Sequence, residues 1–217
     1  MVSLNNFDSW NLEKARLAEQ ACLLLFQISA VRFGSFKLTS GKTSPFYIDL
    51  RVVPSYPNVF EKITDMYVEL IRNEIDAFNR IAGVPTAGLP IATLVSYKLK
   101  APLLYVRKEA KGHGTQRMVE GILNEGERVL LVDDIATTGL SLLNAAQAIR
   151  SQGGKVEHAV VLVDREQGGV SILSSNGIQL HSIVRASQLF EVLHGKGLIT
   201  FKDYQRAIKY LKSEQQY

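Results

Sequence analysis

Short, continuous runs of apolar residues alternate with amphipathic segments over most of the chain. The apolar runs lie at residues 80–84, 103–106, 129–132, 159–163 and 178–184, with helical patterns between most of them. Strands that are apolar on both faces and separated by helices are typical of a parallel sheet covered on both sides. The pattern therefore predicts an α/β fold with a central, mainly parallel sheet flanked by helices.

The two ends of the chain follow other patterns. Residues 11–31 carry apolar positions at helical spacing, and a second amphipathic helix is expected to begin near Asn58, a good N-cap residue. Between them, residues 34–51 are rich in turn formers, which favours short strands and a loop. Residues 186–213 again show helical patterns.

No internal repeat, low-complexity tract or linker divides the 217 residues. We therefore expect a single domain, 1–217. Its expected parts are a small N-terminal segment at 1–55, a core at 78–185 and C-terminal helices at 186–217.

Composition and charge narrow the function classes. No run approaches the roughly 18 apolar residues of a membrane helix, so no membrane partner is expected. The formal net charge of +4 is too small to indicate a nucleic-acid partner. The first ten residues do not resemble a secretion signal, and the lone Cys22 fits a buried core position in a reducing compartment better than a nucleophile. A cytoplasmic location is expected.

Two adjacent carboxylates, Asp133 and Asp134, directly follow the apolar run 129–132. A small, hydroxyl-rich turn then opens a helical pattern. Ligands of open α/β sheets bind beyond the carboxyl ends of the strands. There the carboxylates can accept hydrogen bonds from ribose hydroxyls, while turn amides and hydroxyl groups hold a phosphate. The alternative is an ordinary turn with a capping Thr or Ser and solvated aspartates. The spacing fits neither GxxxxGK[ST] nor GxGxxG.

A second polar segment, residues 107–115, carries four potential cations within seven positions. No apolar periodicity runs through it, which predicts a mobile surface loop. A solvated charged loop without a binding role is the alternative.

The segment 133–141 resembles the hallmark of the phosphoribosyltransferases, a pair of acidic residues followed by a threonine-rich turn that binds phosphoribosyl pyrophosphate (PRPP). Residues 107–114 resemble the flexible catalytic loop of the orotate phosphoribosyltransferases. Residues 33–51 and 164–169 resemble that family's N-terminal substrate segment and orotate-binding turn. The likeness is strongest to the phosphoribosyltransferase half of bifunctional UMP synthases.

The resemblance implies the type I phosphoribosyltransferase fold, with residues 1–55 as an N-terminal hood and 78–185 as the PRPP-binding core. It also implies transfer of the 5-phosphoribosyl group from PRPP to orotate, giving orotidine 5'-monophosphate and pyrophosphate in de novo pyrimidine biosynthesis. Because the orotate ring nitrogen itself attacks the anomeric carbon, the protein is expected to position the reactants and stabilise charge.

The resemblance also assigns residues. Catalysis is assigned to Lys111, His113, Asp133 and Asp134. PRPP binding is assigned to Arg107, Lys108, Lys111, His113, Asp133, Asp134, Ile135, Ala136, Thr137, Thr138, Gly139, Leu140 and Ser141. For orotate, Arg165 fits its carboxylate as a bidentate fork, with Thr137 on the other side. The alternative for Arg165 is a surface ion pair with Glu166 or Asp164.

Mg²⁺ is expected to arrive as a PRPP complex, without a direct protein metal site. The family resemblance implies a homodimer whose catalytic loop acts in trans. Association with a separate orotidine monophosphate decarboxylase stays open.

The sequence departs from many members of the family in three places. Thr39 and Thr86-Ala87 stand where bacterial members carry a basic residue, and Gly112 replaces a common Asp. A purine or other pyrimidine phosphoribosyltransferase remains an alternative, as does a regulator that binds PRPP without consuming it. The three other histidines, His158, His181 and His194, lack ligand spacing and are expected to be packed or solvated.

Overall fold

The computed structural model describes residues 3–37, 41–107 and 118–214. In chain order the elements are helix α1 (Ser3–Gln27), strands β1 (Val31–Lys37) and β2 (Thr43–Ile48), a short 3₁₀ helix (Leu50–Ser55), α2 (Pro57–Glu74), β3 (Arg80–Gly83), α3 (Gly88–Leu99), β4 (Leu103–Val106), β5 (Val119–Glu120), β6 (Arg128–Ala136), α4 (Leu140–Arg150), β7 (Lys155–Asp164), α5 (Gly169–Ser175), β8 (Gln179–Arg185), α6 (Ala186–Gly195) and α7 (Phe201–Glu214).

Six strands form the central sheet in the order β5-β4-β3-β6-β7-β8. All neighbouring pairs are parallel except β4 and β5. The expected α/β fold with a mainly parallel sheet is therefore confirmed. From β3 the chain proceeds outward to β4, whereas from β6 it proceeds in the opposite direction to β7 and β8. The strand order thus switches between β3 and β6, which is where open α/β sheets bind ligands.

Alternating side chains of the strands enter two separate cores. On one face, Ile81 and Leu130 pack with apolar side chains of α1, α2, α3 and α6. On the other face, Ala82 and Leu131 pack with α4 and α5. Because both faces of the sheet are covered, the strands carry apolar residues at successive positions.

Strands β1 and β2 form a separate antiparallel hairpin, as the turn-rich segment predicts. Phe46 anchors it, because its ring centroid lies 4.6 Å from that of Phe190 in α6 and 5.7 Å from that of Tyr210 in α7. The hairpin is thereby held beside the carboxyl ends of β6 and β7.

Several expected boundaries need correction. Helix α2 begins at Pro57, and Asn58 is not its N-cap; Tyr56 occupies that position. Proline suits the first helical turn because the N–H that it lacks would have no partner there. Helix α1 begins earlier than residue 11 and ends at Gln27. Cys22 is buried as expected, and burial raises the pKa of its thiol to about 12.

Within the described ranges, no helix has the length and apolar character needed to cross a bilayer.

Candidate active site

The loops that follow β3, β6 and β7 meet near the switch point. Backbone hydrogen bonds join them: the Val84 N–H donates to the Val132 carbonyl (3.1 Å), and the Arg165 N–H donates to the Ala136 carbonyl (2.8 Å). The Gly169 N–H donates to the Thr137 carbonyl (3.1 Å). The segments 133–141 and 164–169, which the sequence analysis singles out, are therefore adjacent in space, and the residues that follow β3 lie beside them.

The aspartate pair lies within strand β6 and not after it. The expected strand end at Val132 is wrong, because parallel pairing with β7 continues from Asp133 opposite Val161 to Ala136 opposite Asp164. Ile135 and Ala136 are likewise strand residues. The consequence is that both aspartates are enclosed by neighbouring strands and helices.

Asp133 and Asp134 are only 6% and 8% exposed. Asp133 accepts a hydrogen bond from the Asp134 N–H and Asp134 accepts one from the Ile135 N–H, both at 2.9 Å. Among the described residues, no Lys, Arg or His forms a salt bridge with either carboxylate. The alternative of solvated aspartates is therefore wrong.

This burial changes the titration of the pair. Burial, reinforced by the negative charge of Asp134, raises the pKa of Asp133 well above its usual range. Burial also raises the pKa of Asp134, against hydrogen bonds and the positive charge of Arg51. Buried anions without a cation are costly, so the protein maintains a site that favours a hydrogen-bond donor or a positive charge.

Two neighbours that the sequence did not reveal hold this pair in place. The Tyr67 hydroxyl donates to the Asp133 carbonyl at 2.7 Å. A Cβ on Gly88 would lie 2.7 Å from Asp133 Oδ1, so the first residue of α3 must be glycine for the helix to approach the carboxylate. Tyr67 lies on the apolar face of α2, where its spacing does not distinguish it from a purely structural core residue.

The turn 137–139 is shaped by close backbone contact. Gly139 has φ of +79°, and a Cβ there would lie 3.1 Å from the Gly169 Cα, so that only glycine fits easily. Gly139 is also the N-cap of α4 and supplies no side-chain cap, so the expected alternative of a capping Thr or Ser is wrong. Thr138, Leu140 and Ser141 are exposed beside the first amides of the helix, as an anion site requires.

Arg165 is the counterpart of the aspartate pair. Its guanidinium Cζ lies 5.5 Å from the centroid of the Phe46 ring, and its buried Nε has no hydrogen-bond partner in the described part of the chain. Burial lowers the pKa of this guanidinium. Neither acidic neighbour pairs with it: Asp164 accepts the Glu166 N–H (2.9 Å), and Glu166 accepts the Ser187 N–H (2.7 Å). The alternative of a surface ion pair is therefore wrong.

Arg107 lies on the other side of the site. Its N–H donates to the Met118 carbonyl (2.8 Å), and its Nη1 donates to Glu120 Oε1 (2.9 Å). It borders a cleft of about 380 Å³ whose lining includes Val84, Pro85, Met118, Ser141 and Asn144. Lys108, Lys111 and His113, together with Thr39 and Gly112, lie outside the described residues.

The remaining histidines are packed. His181 is 3% exposed and lies between His158 and Glu74, whereas His194 stacks on Tyr204 with ring centroids 4.8 Å apart. Among the described residues, no group of three or more His, Cys, Asp or Glu side chains could hold a metal ion.

Comparison with known proteins shows the family of the chain. A family model for the phosphoribosyl transferase domain matches residues 54–190. An orotate phosphoribosyltransferase of Sulfolobus acidocaldarius is 44% identical over 166 residues, covering 76% of this chain and 83% of the relative. One from Staphylothermus marinus is 42% identical, covering 90% and 95%. A uridine 5'-monophosphate synthase of Bos taurus is 37% identical over 87% of this chain, which spans 39% of that protein.

Solved structures give the same picture. A UMP synthase of Leishmania donovani matches with a TM-score of 0.82 and 35% identity, covering 90% of this chain and 42% of the other. An orotate phosphoribosyltransferase from Aeropyrum pernix matches with a TM-score of 0.69 and 34% identity, covering 82% of this chain and 99% of the other. These neighbours confirm the expected fold. The chain belongs to the orotate phosphoribosyltransferase family.

Proposed function

We infer that the protein is an orotate phosphoribosyltransferase, which joins orotate to the ribose of PRPP and releases pyrophosphate. One observation carries this inference. Within the described residues, a buried carboxylate pair that forms no salt bridge and an arginine whose buried Nε has no hydrogen-bond partner lie on adjoining segments at one sheet edge. The reaction supplies both missing partners, since the ribose becomes positively charged during transfer and orotate carries a carboxylate.

The ribose is assigned to Asp133 and Asp134. Their free lone pairs accept hydrogen bonds from its 2'- and 3'-hydroxyls, and their charge stabilises the oxocarbenium-like ring that forms as pyrophosphate leaves. Since both aspartates are largely buried strand residues, their positions are fixed before the substrate arrives.

The 5'-phosphate is assigned to the turn and the start of α4. Gly139 and Leu140 offer backbone amides without a side-chain cap, while Thr138 and Ser141 offer exposed hydroxyls. Positive charge at the helix N-terminus favours a dianion there. Ile135 and Ala136 set the strand end from which this turn departs.

Orotate is assigned to the space between Arg165 and Thr137. Arg165 binds the orotate carboxylate and thereby fixes the ring so that its nitrogen reaches the anomeric carbon. Thr137 is half-buried, and its carbonyl already accepts the Gly169 N–H, which keeps the two loops in register.

Pyrophosphate departure needs positive charge, which we assign to Arg107, Lys108, Lys111 and His113. We propose that the protein is a homodimer in which Lys111 and His113 reach the partner's site. Mixing Lys111→Ala with Arg165→Ala protein is then expected to restore activity through heterodimers with one intact site. No recovery after confirmed subunit exchange would contradict this assignment.

Mg²⁺ would be carried by PRPP, whose phosphate and hydroxyl oxygens suit this metal, and Asp133 and Asp134 would contact it only through the ribose or water. Its part, when bound with PRPP, is to offset phosphate charge.

We further propose the division into hood (1–55), core (78–185) and C-terminal helices (186–217), and reaction in the cytoplasm. Binding of a separate decarboxylase can be tested by co-sedimentation.

Orotate absorbs in the ultraviolet and loses this absorbance on conversion, which gives a direct assay. Purified protein with PRPP and Mg²⁺ is expected to consume orotate and release pyrophosphate, and to leave uracil, adenine and hypoxanthine unchanged. Turnover of another base in place of orotate would overturn the substrate assignment. Tight PRPP binding without turnover of any base would favour the regulator.

A further inference from the structure

A second fixed cation lies at the rim of the site, in the 3₁₀ helix that follows the hairpin. The Arg51 side chain is 66% exposed. Its Nε donates to Asp49 Oδ1 (2.7 Å), and its Nη2 donates to Asp49 Oδ2 (2.9 Å) and to the Tyr47 hydroxyl (2.9 Å). Exposed arginines ordinarily sample many rotamers, so three hydrogen bonds on one such side chain indicate preorganisation.

These bonds leave one edge of the guanidinium open. Within the described ranges, Nη1 of Arg51 donates no hydrogen bond, although it carries two N–H groups. The Asp49 carboxylate accepts two hydrogen bonds from the same side chain and one from the Arg51 N–H at 3.2 Å. The arrangement therefore presents a cation whose orientation is set and whose Nη1 is available.

This cation lies next to residues of the site. Arg51 bonds to Tyr47, the neighbour of Phe46, and Arg165 packs over the Phe46 ring. The Arg165 N–H donates to the Ala136 carbonyl, at the end of the strand that carries the aspartates. A shared support explains the proximity: the 3₁₀ helix packs on α2 through the buried Leu50 and Val53, and Tyr67 of α2 donates to the Asp133 carbonyl. Helix α2 thus positions both the arginine and the aspartate pair.

Arg51 and Arg165 are placed to bind different anionic groups of the substrates. Arg165 packs over the buried Phe46, whereas Arg51 bonds to the neighbouring Tyr47. Successive residues of a strand point to opposite faces, so the two arginines engage opposite faces of β2. The orotate carboxylate therefore goes to Arg165, and the anion for Arg51 belongs to the substrate that contacts the aspartates.

We propose that Arg51 is a further binding residue for PRPP, held by Asp49 and Tyr47 with its Nη1 edge directed to a phosphate oxygen of the substrate. The proposal rests on the proposed function. PRPP brings several phosphate charges toward two carboxylates, and a cation already fixed beside them offsets the repulsion at little entropic cost.

Calorimetric titration of PRPP with Mg²⁺, without orotate, tests this assignment. We expect Arg51→Gln to weaken PRPP binding about tenfold or more, and Arg51→Lys, which keeps the charge and loses the fork, to weaken it less. The KM for orotate at saturating PRPP is expected to stay at the wild-type value. Arg72→Gln is the matched control, because Arg72 is a 59% exposed arginine of α2 with one ion pair to Glu69.

Unchanged PRPP affinity in Arg51→Gln would overturn the proposal, as would a rise in the KM for orotate alone. If Arg51→Gln does not fold, the same comparison is made with Arg51→Lys, for which wild-type affinity counts against the proposal. Wild-type protein that binds PRPP but leaves orotate unchanged would refute the proposed function and leave the Arg51 result valid. Wild-type protein that does not bind PRPP would refute both.

Discussion

Two groups of ionisable side chains lie at different levels of the same sheet, and they differ in how their charges are paired. Asp133 and Asp134 lie toward the carboxyl ends of the strands, and Glu74, His181 and His158 form a second group toward the amino ends of β7 and β8. Asp133 and Asp134 are buried, and in the second group His181 is buried while Glu74 and His158 are partly buried. Among the described residues, only the second group forms salt bridges.

Glu74 is the centre of the second group. Its carboxylate accepts from Lys14 Nζ (2.6 Å) and Trp10 Nε1 (3.1 Å), and it pairs with His181 Nδ1 (2.7 Å). His181 Nε2 in turn lies 3.1 Å from His158 Nδ1. Burial alone would raise the pKa of Glu74, but these hydrogen bonds and the charge of Lys14 lower it to about 2.

This difference indicates which of the two groups is structural and which is functional. The Glu74 group satisfies its own charge and therefore stabilises the fold, whereas the aspartate pair is left for a ligand to satisfy. A buried group that destabilises the free protein is retained only when something else requires it, which points to the reaction.

The largest expected effect is on turnover. The double variant Asp133→Asn, Asp134→Asn removes the charge that stabilises the ribose cation, so kcat/KM is expected to fall at least about a thousandfold. Because the folded state raises both carboxyl pKa values, their ionisation costs stability once the pH exceeds the unfolded values. The melting temperature of the variant at neutral pH should therefore equal or exceed that of the wild type. A large loss of stability would contradict the comparison.

Arg165→Met should also lower kcat/KM without loss of stability. Its effect on the rate should be smaller than that of the double aspartate variant. Without the guanidinium, kcat/KM for orotate is expected to fall about a hundredfold. A thioether of similar length fills the space over Phe46 without a buried unpaired donor, so thermal stability should be retained. Orotate kinetics measure the expected fall in kcat/KM, and a thermal melt of the same preparation measures the stability. Wild-type kinetics in this variant would refute the orotate assignment.

Glu74→Ala should behave in the opposite way. It leaves His181 and Lys14 without their acceptor, and we expect a loss of about 3 kcal/mol in the free energy of unfolding with kcat unchanged at 25 °C. The carboxylate stabilises the fold above its unfolded pKa, and this contribution is lost as the pH falls toward about 2. Urea unfolding should therefore separate the variant from the wild type more at pH 7 than at pH 3.

The smallest expected effect concerns His158. Burial and the neighbouring His181 lower the pKa of His158 below its usual 6.5. A lowered histidine pKa means that the folded state favours the neutral ring, so stability is lost as the pH falls below about 6.5. His158→Gln should remove this loss of stability at low pH. The loss is expected to be on the order of a degree in melting temperature because the ring is only partly buried. If His158→Gln lost stability at low pH as the wild type does, another titrating group would be responsible for the loss.

These two groups also differ in how far the sequence could reveal them. The aspartates follow an apolar run, and a parallel sheet predicts where its carboxyl ends lie, so Asp133 and Asp134 could be assigned to the site from local pattern. The Glu74 and His181 pair joins residues 107 positions apart, and no periodicity connects them. The isolation of Arg165 was equally hidden, because it depends on Ser187 engaging Glu166.

Ligand-induced stabilisation tests most directly the claim that the carboxylate pair is left for the sugar phosphate. With Mg²⁺, PRPP at about 100 times its Kd is expected to stabilise wild-type protein by about 2.7 kcal/mol, seen as a rise in Tm. Glu74→Gln should show the same rise from a lower starting Tm. The Asp133→Asn, Asp134→Asn variant should start at or above the wild-type Tm and show a much smaller rise. An equal rise in the double variant would contradict the account.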